Sequence, residues 1–180
     1  MTISVCGNKL ITILPCFLLI WSCFAFLICY VIAVKRDDVA RVFPYISDIA
    51  FYKPESQIFS QMMNISVMAA FVCIYIRYKQ IQNLLCDACA ISINRLSCAF
   101  GIISSLGISM VANFQEKTTL KLIHEIGAGL LMISGILYQM TQSYLTYKTS
   151  KDKICFCCRL LILVISLTAS IASDKIYCGV

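Results

Sequence analysis

The stretch PYISDIAFYKPESQIFSQMMN, residues 44–64, contains the boundary between a polar loop and an apolar run that begins at Ile58. Proline at positions 44 and 54 disfavours helix in the residue before it, so we expect the loop to be extended and rich in turns. Pro54 followed by Glu55 places a preset φ angle and then a carboxylate at the positive end of a helix dipole. The stretch therefore predicts a defined loop that leads directly into a helix.

Long apolar runs on both sides of this loop indicate a membrane protein. Of the 180 residues, 60% are hydrophobic and 13% are charged, and the mean hydropathy is +0.85. Soluble domains are about a quarter charged. Crossing the hydrocarbon layer takes about 20 apolar residues as a helix. The sequence predicts an all-α, polytopic transmembrane bundle with four full spans, at about 10–34, 58–76, 96–114 and 122–145.

The chain after residue 148 is expected to differ from the four-span core, residues 1–148. Residues 149–180 begin with a basic connection that contains cysteines, and the apolar run from Leu160 to Ala172 follows it. This run is shorter than the other four and too short to cross a membrane comfortably. We therefore predict a short, partial fifth span.

The positions of the twelve cysteines favour a cytosolic N-terminus. The predicted loops at 35–57 and 115–121 contain no cysteine, whereas the connections at 77–95 and 148–158 do. A disulfide framework would place cysteines in the loops of the oxidising face, so the connections that contain them are expected in the cytosol. Basic residues are spread almost evenly over the loops of both sides, so their charge does not decide the orientation. The same even distribution argues against nucleic-acid binding, despite the net charge of +6.

Small or hydroxyl-bearing residues recur at every fourth position of the third predicted span, at Ser97, Gly101, Ser105 and Ser109. This spacing places them on one face of a helix, where small side chains let two backbones approach closely. Packing against a neighbouring helix of the bundle is the favoured interpretation. A lipid-binding face or a dimer face is the alternative.

His124 and Glu125 are ionisable residues at the start of the fourth predicted span. Ionisable groups at membrane depth are costly and are therefore candidates for function. The charge of His124 would change in an acidified lumen, which makes pH sensing a hypothesis, although a structural role is the favoured interpretation of a lone histidine. The predicted topology gathers these residues with others on the outer face. The candidate functional surface comprises Pro44, Tyr45, Ser47, Asp48, Pro54, Glu55, Ser56, Asn64, Asn113, Gln115, Glu116, His124 and Glu125.

Asn64 begins an Asn-Ile-Ser pattern that fits N-glycosylation, but it lies inside the second predicted span. We expect its side chain to pack within the bundle and to form a hydrogen bond with Asn113 or Gln115 across the outer face.

The inventory of reactive side chains argues against an enzyme. One histidine cannot supply the ligands of an intramembrane zinc hydrolase, and the sequence has no Gly-rich phosphate loop and no G-x-S-x-G motif. We therefore expect no catalytic residues, no metal and no cofactor. Cys155, Cys157 and Cys158 are candidates for palmitoylation because basic residues flank them, although inert thiols are the favoured interpretation. A structural zinc shared with Cys86 and Cys89 is a weaker alternative.

Several short motifs resemble those of the damage-regulated autophagy modulator (DRAM) family. They are PYISD at 44–48, PES at 54–56, Ile58-Phe59, Asn64, RYK at 77–79, VANFQE at 111–116, and His124 with Gly127. The motifs follow the order and spacing of the family as far as about Lys148. The family has six spans, so the resemblance implies a C-terminally shortened member.

The resemblance implies a multi-span protein of lysosomal or related endomembranes that promotes autophagy, in some members downstream of a stress response that leads to cell death. Members of the wider superfamily are tied to lipid organisation in the plasma membrane and to lipid remodelling of GPI anchors. The likeness establishes no catalytic residues, so none can be assigned here.

Two hypotheses for the function remain. In the first, the chain is a non-enzymatic modulator of autophagy that acts in the lysosomal or endosomal bilayer by binding membrane-protein partners, by self-association or by altering lipid distribution. In the second, it is a lipid carrier or lipid-remodelling factor with a polar lumenal cleft. The cleft would be lined by Glu55, Glu116, His124 and Glu125. A shared cleft open to the bilayer favours the second hypothesis, and local pairing of these side chains favours the first.

Overall fold

The described part of the chain is helical, as the sequence predicts. The structure is a computed structural model that describes residues 5–42, 46–115, 119–149 and 153–178. The helices are α1 (Val5–Lys35), the single turn α2 (Ile46–Ile49), α3 (Glu55–Gln82), α4 (Ala88–Asn113), α5 (Lys121–Thr149) and α6 (Lys153–Cys178). Helix α3 begins at Glu55, where the sequence predicted a helix start, whereas α2 departs from the extended conformation expected for the loop.

Within the described ranges, four helices are long and apolar enough to cross a membrane, which confirms the predicted number of full spans. Their apolar segments are Thr12–Lys35, Glu55–Gln82, Ala88–Asn113 and Lys121–Thr149. Helix α6 contains a shorter apolar segment, Ile154–Thr168, which agrees with a short fifth span.

The connections at the inner end are shorter than the sequence predicted. Only residues 83–87 separate α3 from α4, so most of the predicted connection at 77–95 is helical. Asp87 caps α4 by accepting a hydrogen bond from the backbone N–H of Cys89 at 3.3 Å. Cys155, Cys157 and Cys158 likewise lie in α6 instead of a loop. The prediction was wrong here because hydropathy marks the end of the apolar residues, whereas a helix continues until its backbone hydrogen bonds end.

The helices pack in chain order, and successive long helices are antiparallel. Among the described residues, the main contacts join α1 to α3, α3 to α4, α4 to α5, and α5 to α6. Trp21 Nε1 of α1 donates to the Met62 carbonyl of α3 at 3.0 Å, and Ser104 Oγ of α4 donates to the Leu131 carbonyl of α5 at 3.1 Å. The ends of α1 and α4 therefore lie at the same end of the bundle as the starts of α3 and α5. We call this the outer end and the opposite one the inner end.

The distribution of side chains fits a lipid environment. Ser97, Gln142 and Thr146 are at most 2% exposed, whereas Leu19, Ile20 and Met68 are at least 65% exposed. Water would penalise this arrangement, but acyl chains solvate apolar surface and leave polar groups to find partners between the helices.

The stripe of small residues on α4 lies against neighbouring helices of the bundle. Ser97 and Ser105 are buried, and Ser109 Oγ donates to Asn64 Oδ1 of α3 at 3.0 Å. A Cβ atom added at Gly101 would lie 3.1 Å from Ile74 of α3. The small side chains therefore set the spacing between α3 and α4.

Helices α4 and α5 approach each other closely where two glycines face each other. A Cβ atom at Gly107 would lie 2.5 Å from the backbone nitrogen of Leu131 and 2.7 Å from the carbonyl oxygen of Gly127. A Cβ atom at Gly127 would lie 2.6 Å from Met110 Cβ. Because the obstructing atoms at Gly107 belong to the backbone, no side-chain rotation can make room for a methyl group.

We predict that Gly107→Ala destabilises the protein by about 1–3 kcal/mol, because the two helices must separate to accept the methyl group. Gly129→Ala is the matched control: a Cβ atom there meets nothing within 4 Å. The control should raise stability slightly, by about 0.5–1 kcal/mol, through helix propensity. Unfolding in detergent, followed by circular dichroism, measures both variants. Equal effects of the two substitutions would contradict the proposed close contact.

Candidate functional site

The described members of the candidate functional surface lie at the outer end of the bundle. Pro44, Tyr45 and Glu116 lie outside the described residues, as does the side chain of Ser47. An apolar cluster beneath the surface joins α1, α2, α3 and α4. It consists of Ala25, Cys29, Ile49, Phe59, Met62, Met63 and Ala112. Ile49 belongs to this cluster, so the cluster holds the single turn α2 against the bundle.

Asn64, Ser109 and Asn113 form a hydrogen-bonded group between α3 and α4. Asn64 Nδ2 donates to Asn113 Oδ1 at 3.2 Å, and Asn113 Nδ2 donates to Asn64 Oδ1 at 3.0 Å. The predicted hydrogen bond between the two asparagines is confirmed. Its helical position and these partners give Asn64 a packing role, as the sequence analysis expected.

Glu55 is a buried carboxylate at the first position of α3. The residue is 0% exposed, and neither of its carboxylate oxygens accepts a hydrogen bond. Arg36 Nε lies 3.5 Å from Glu55 Oε1, and the same nitrogen lies 3.1 Å from Asp38 Oδ2. The helix dipole and one shared cation therefore stabilise this carboxylate. Ser56 is also buried, whereas Pro54 is exposed.

His124 connects the end of α4 to the start of α5. Its Nδ1 atom lies 2.6 Å from the Phe114 carbonyl oxygen, so Nδ1–H donates a hydrogen bond to that carbonyl. Phe114 follows the last residue of α4, where carbonyl groups lack partners within the helix. This geometry gives His124 a structural role. Gln115, next to Phe114, is half-buried.

Glu125 forms a surface ion pair with Lys121, one helical turn away. The Lys121 Nζ to Glu125 Oε1 distance is 3.5 Å, and both side chains are more than half exposed. Such pairs contribute only about 0.3–0.5 kcal/mol. Glu55, His124 and Glu125 therefore each have their own local partner.

The inner end contains a buried polar network that the sequence analysis missed. Arg77 of α3 donates to Gln142 Oε1 and to Thr146 Oγ1 of α5, both at 3.0 Å. Gln142 Nε2 in turn donates to Ser97 Oγ of α4 at 2.9 Å. This network joins α3, α4 and α5. The i, i+4 spacing of Gln142 and Thr146 was the available signal.

Asp87 and Lys148 form an ion pair at the same end. The hydrogen bond from Lys148 and that from the Cys89 backbone hold the pKa of the Asp87 carboxyl below its ordinary value. A depressed pKa means that the contribution of this pair to stability is lost only as the pH falls through that lower value. The cap of α4 is therefore ionised at neutral pH.

Five cysteines near the inner end are exposed: Cys86, Cys89, Cys155, Cys157 and Cys158. Within the described part of the chain, no three His, Cys, Asp or Glu side chains are grouped closely enough to hold a metal ion. The zinc alternative thus has no geometric support among these residues. Palmitoylation of Cys155, Cys157 and Cys158 stays a prediction, with which their exposure is compatible.

Comparisons with known proteins find one family and several relatives to which this chain is similar. The family described as "Frag1/DRAM/Sfk1/Cwh43P N-terminal domain" matches residues 10–177. DNA damage-regulated autophagy modulator protein 1 of Xenopus laevis is 38% identical over 76% of the chain and 57% of its own length. The human modulator protein 2 is 40% identical over 77% of the chain and 52% of its own length.

A third relative, a modulator of macroautophagy from Xenopus laevis, is 36% identical over 75% of the chain and 58% of its own length. The chain thus spans between half and three fifths of the length of these relatives. No solved structure matches it.

We predict that Arg36→Gln destabilises the protein by about 1–2 kcal/mol, because it leaves the buried carboxylate of Glu55 without a cation. Adding Glu55→Gln should recover most of this loss, since the double variant buries no charge. Arg41→Gln is the control, because Arg41 pairs with Asp37 at 3.8 Å on an exposed surface. Chemical denaturation in detergent gives the free energies of unfolding of the wild type, of the three single variants Arg36→Gln, Glu55→Gln and Arg41→Gln, and of the double variant. Additive effects of Arg36→Gln and Glu55→Gln would show that the two side chains do not interact.

Proposed function

The chain belongs to the Frag1/DRAM/Sfk1/Cwh43P family, and from this premise we propose that it is a non-enzymatic integral membrane modulator of autophagy. We place it in lysosomal or endosomal membranes, with the N-terminus and the inner end in the cytosol. It acts by recruiting membrane-protein partners, by self-association or by changing the distribution of lipids. The names of three relatives support the role in autophagy.

The local pairing of the ionisable side chains at the outer end is the structural observation that best supports the proposal of a non-enzymatic modulator. Glu55 pairs with Arg36, His124 with the Phe114 carbonyl, and Glu125 with Lys121. General acid–base chemistry needs such groups to face a common reacting centre. Three of the four residues suggested for a polar cleft instead interact with nearby residues of the chain. This supports a surface that contacts other proteins over a cleft that binds a lipid.

The exposure of the cysteines supports the proposed orientation. Five free thiols lie exposed at the inner end, where a reducing compartment would keep them unpaired. At the outer end, Cys29 is buried in the apolar cluster. With this orientation, the outer end and its loop face the lumen, and the candidate functional surface lies there.

The lipid-remodelling alternative rests on one observation, the missing hydrogen bonds of the Glu55 carboxylate. A carboxylate without hydrogen bonds has acceptor oxygens that a polar headgroup could occupy. One such group does not make a cleft, so we keep the modulator as the main proposal. The alternative gains if Glu55→Gln changes lipid distribution between the leaflets while leaving autophagosome turnover intact.

We predict that the full chain, expressed with a tag in cells that lack its relatives, increases lysosome-dependent turnover of autophagosomes. Glu125→Lys alters the charge of the outer surface without entering the core and should weaken this effect. Arg95→Glu makes a matched reversal at an exposed position of the inner end and should leave the effect unchanged. Imaging of the tag against lysosomal markers tests the location. An inert wild-type chain in the lysosomal membrane would refute the proposed function.

The structural role of His124 yields a separate prediction. His124→Asn keeps an amide donor near the position of Nδ1 but removes the change of charge with pH. It should therefore retain both abundance and turnover at every lumenal pH, whereas His124→Ala should lower the abundance. If His124→Asn abolishes a pH response that the wild type shows, His124 is a sensor and the structural interpretation is wrong.

A further inference from the structure

Two arginines lie at the inner end of the bundle, on helices that each contact α5. Arg77 belongs to the last turns of α3, and Arg159 to the second turn of α6. Arg77 donates hydrogen bonds to α5, and α6 packs against the same helix. Tyr138 lies one turn before Gln142 on α5, and the electrostatic fields of both guanidinium groups reach Tyr138 and one another. In an apolar environment, two like charges repel strongly unless an anion lies between them.

The described residues supply no carboxylate to these two cations. Asp87 is the described acidic residue at this end, and it pairs with Lys148. Arg77 donates hydrogen bonds to the side chains of Gln142 and Thr146, which are both neutral. The Nε atom of Arg159 is buried and has no hydrogen-bond partner. A buried guanidinium nitrogen without an acceptor is costly, so the arrangement calls for an anionic acceptor.

We propose that Arg77 and Arg159 bind the phosphate group of an anionic phospholipid, with the Tyr138 hydroxyl as a further donor. A guanidinium group presents parallel N–H donors that match two oxygens of a phosphate. The proposal goes beyond the role in autophagy and holds whether or not that role is correct.

The depth of the two arginines favours a lipid as the source of the phosphate. Arg77 lies five residues before the end of α3 at Gln82, and Arg159 lies six residues after the start of α6 at Lys153. At 1.5 Å per residue, both lie about 8–9 Å from the helix ends, near the level of lipid headgroups. Lys79, Arg95 and Lys148 are exposed around the same end and would attract an anionic leaflet.

The test measures binding of fluorescent phosphatidic acid to the full chain purified in neutral detergent. Phosphatidylcholine is the zwitterionic competitor, and inorganic phosphate and glycerol 3-phosphate are the soluble competitors. Arg159→Gln should weaken binding on the order of tenfold or more, the usual effect of losing a charged hydrogen bond. Arg95→Gln removes an exposed arginine at the same end and is the matched control, which should bind like the wild type.

The stability of the variants separates binding from folding. Arg159→Gln should keep its thermal stability in lipid-free detergent, because the Arg159 Nε atom makes no hydrogen bond within the described protein. Arg77→Gln should bind weakly as well but lose stability, since it breaks the hydrogen bonds to Gln142 and Thr146. Arg159→Gln is therefore the decisive variant.

Three outcomes would overturn the proposal. Wild-type affinity in Arg159→Gln, or an equal loss in Arg95→Gln, would show that Arg159 is not part of a specific site. Equal competition by phosphatidylcholine would show that the site does not select anionic lipids. Competition by inorganic phosphate as strong as by phosphatidic acid would assign the site to a soluble phosphate compound instead of a lipid. None of these results bears on autophagosome turnover, so the proposed function stands or falls separately.

Discussion

The close approach of α4 and α5 at Gly107 and Gly127 is the contact on which the rest of the arrangement depends. Lipid offers no hydrophobic drive between helices, so α4 and α5 associate by van der Waals packing and by interhelical hydrogen bonds. The glycines bring the two backbones together near the outer end, where His124 then reaches the Phe114 carbonyl. Towards the inner end the same two helices bring Gln142 to Ser97. A wider spacing would lengthen both hydrogen bonds at once.

The two ends of the bundle have different electrostatic properties. At the outer end, Glu55, His124 and Glu125 each have a partner nearby in the chain. Glu125, for example, pairs with Lys121. At the inner end, Arg77 and Arg159 lie within the bundle without a described carboxylate, although Lys148 has one in Asp87. A surface whose charges are compensated by local partners suits contacts with other proteins. A pair of guanidinium groups without a carboxylate partner suits an anionic ligand. The asymmetry therefore separates two kinds of binding along the same bundle.

Composition and small-residue spacing were sufficient to predict the helical spans, the packing face of α4 and the hydrogen bond between Asn64 and Asn113. These features depend on periodicity within one helix or on which end of a span a residue occupies. The network of Arg77 was beyond the same reasoning, because it depends on how α3 and α5 are rotated about their axes. The burial of Glu55 was missed for a similar reason: nothing in its local sequence shows that Arg36 folds back over it. The role of the outer surface stays a prediction, in part because Pro44, Tyr45 and Glu116 lie outside the described residues.

Glu55 couples the first loop to the packing of the bundle. Its carboxylate is buried against α1, and Arg36, in the loop after α1, is the cation that compensates it. Arg36 is half exposed and also contacts Asp38, so its position depends on the conformation of the loop. Whatever displaces Arg36 leaves a buried charge without a partner, which costs free energy at the start of α3. Displacement of Arg36 would therefore destabilise the start of α3, the helix that packs against both α1 and α4.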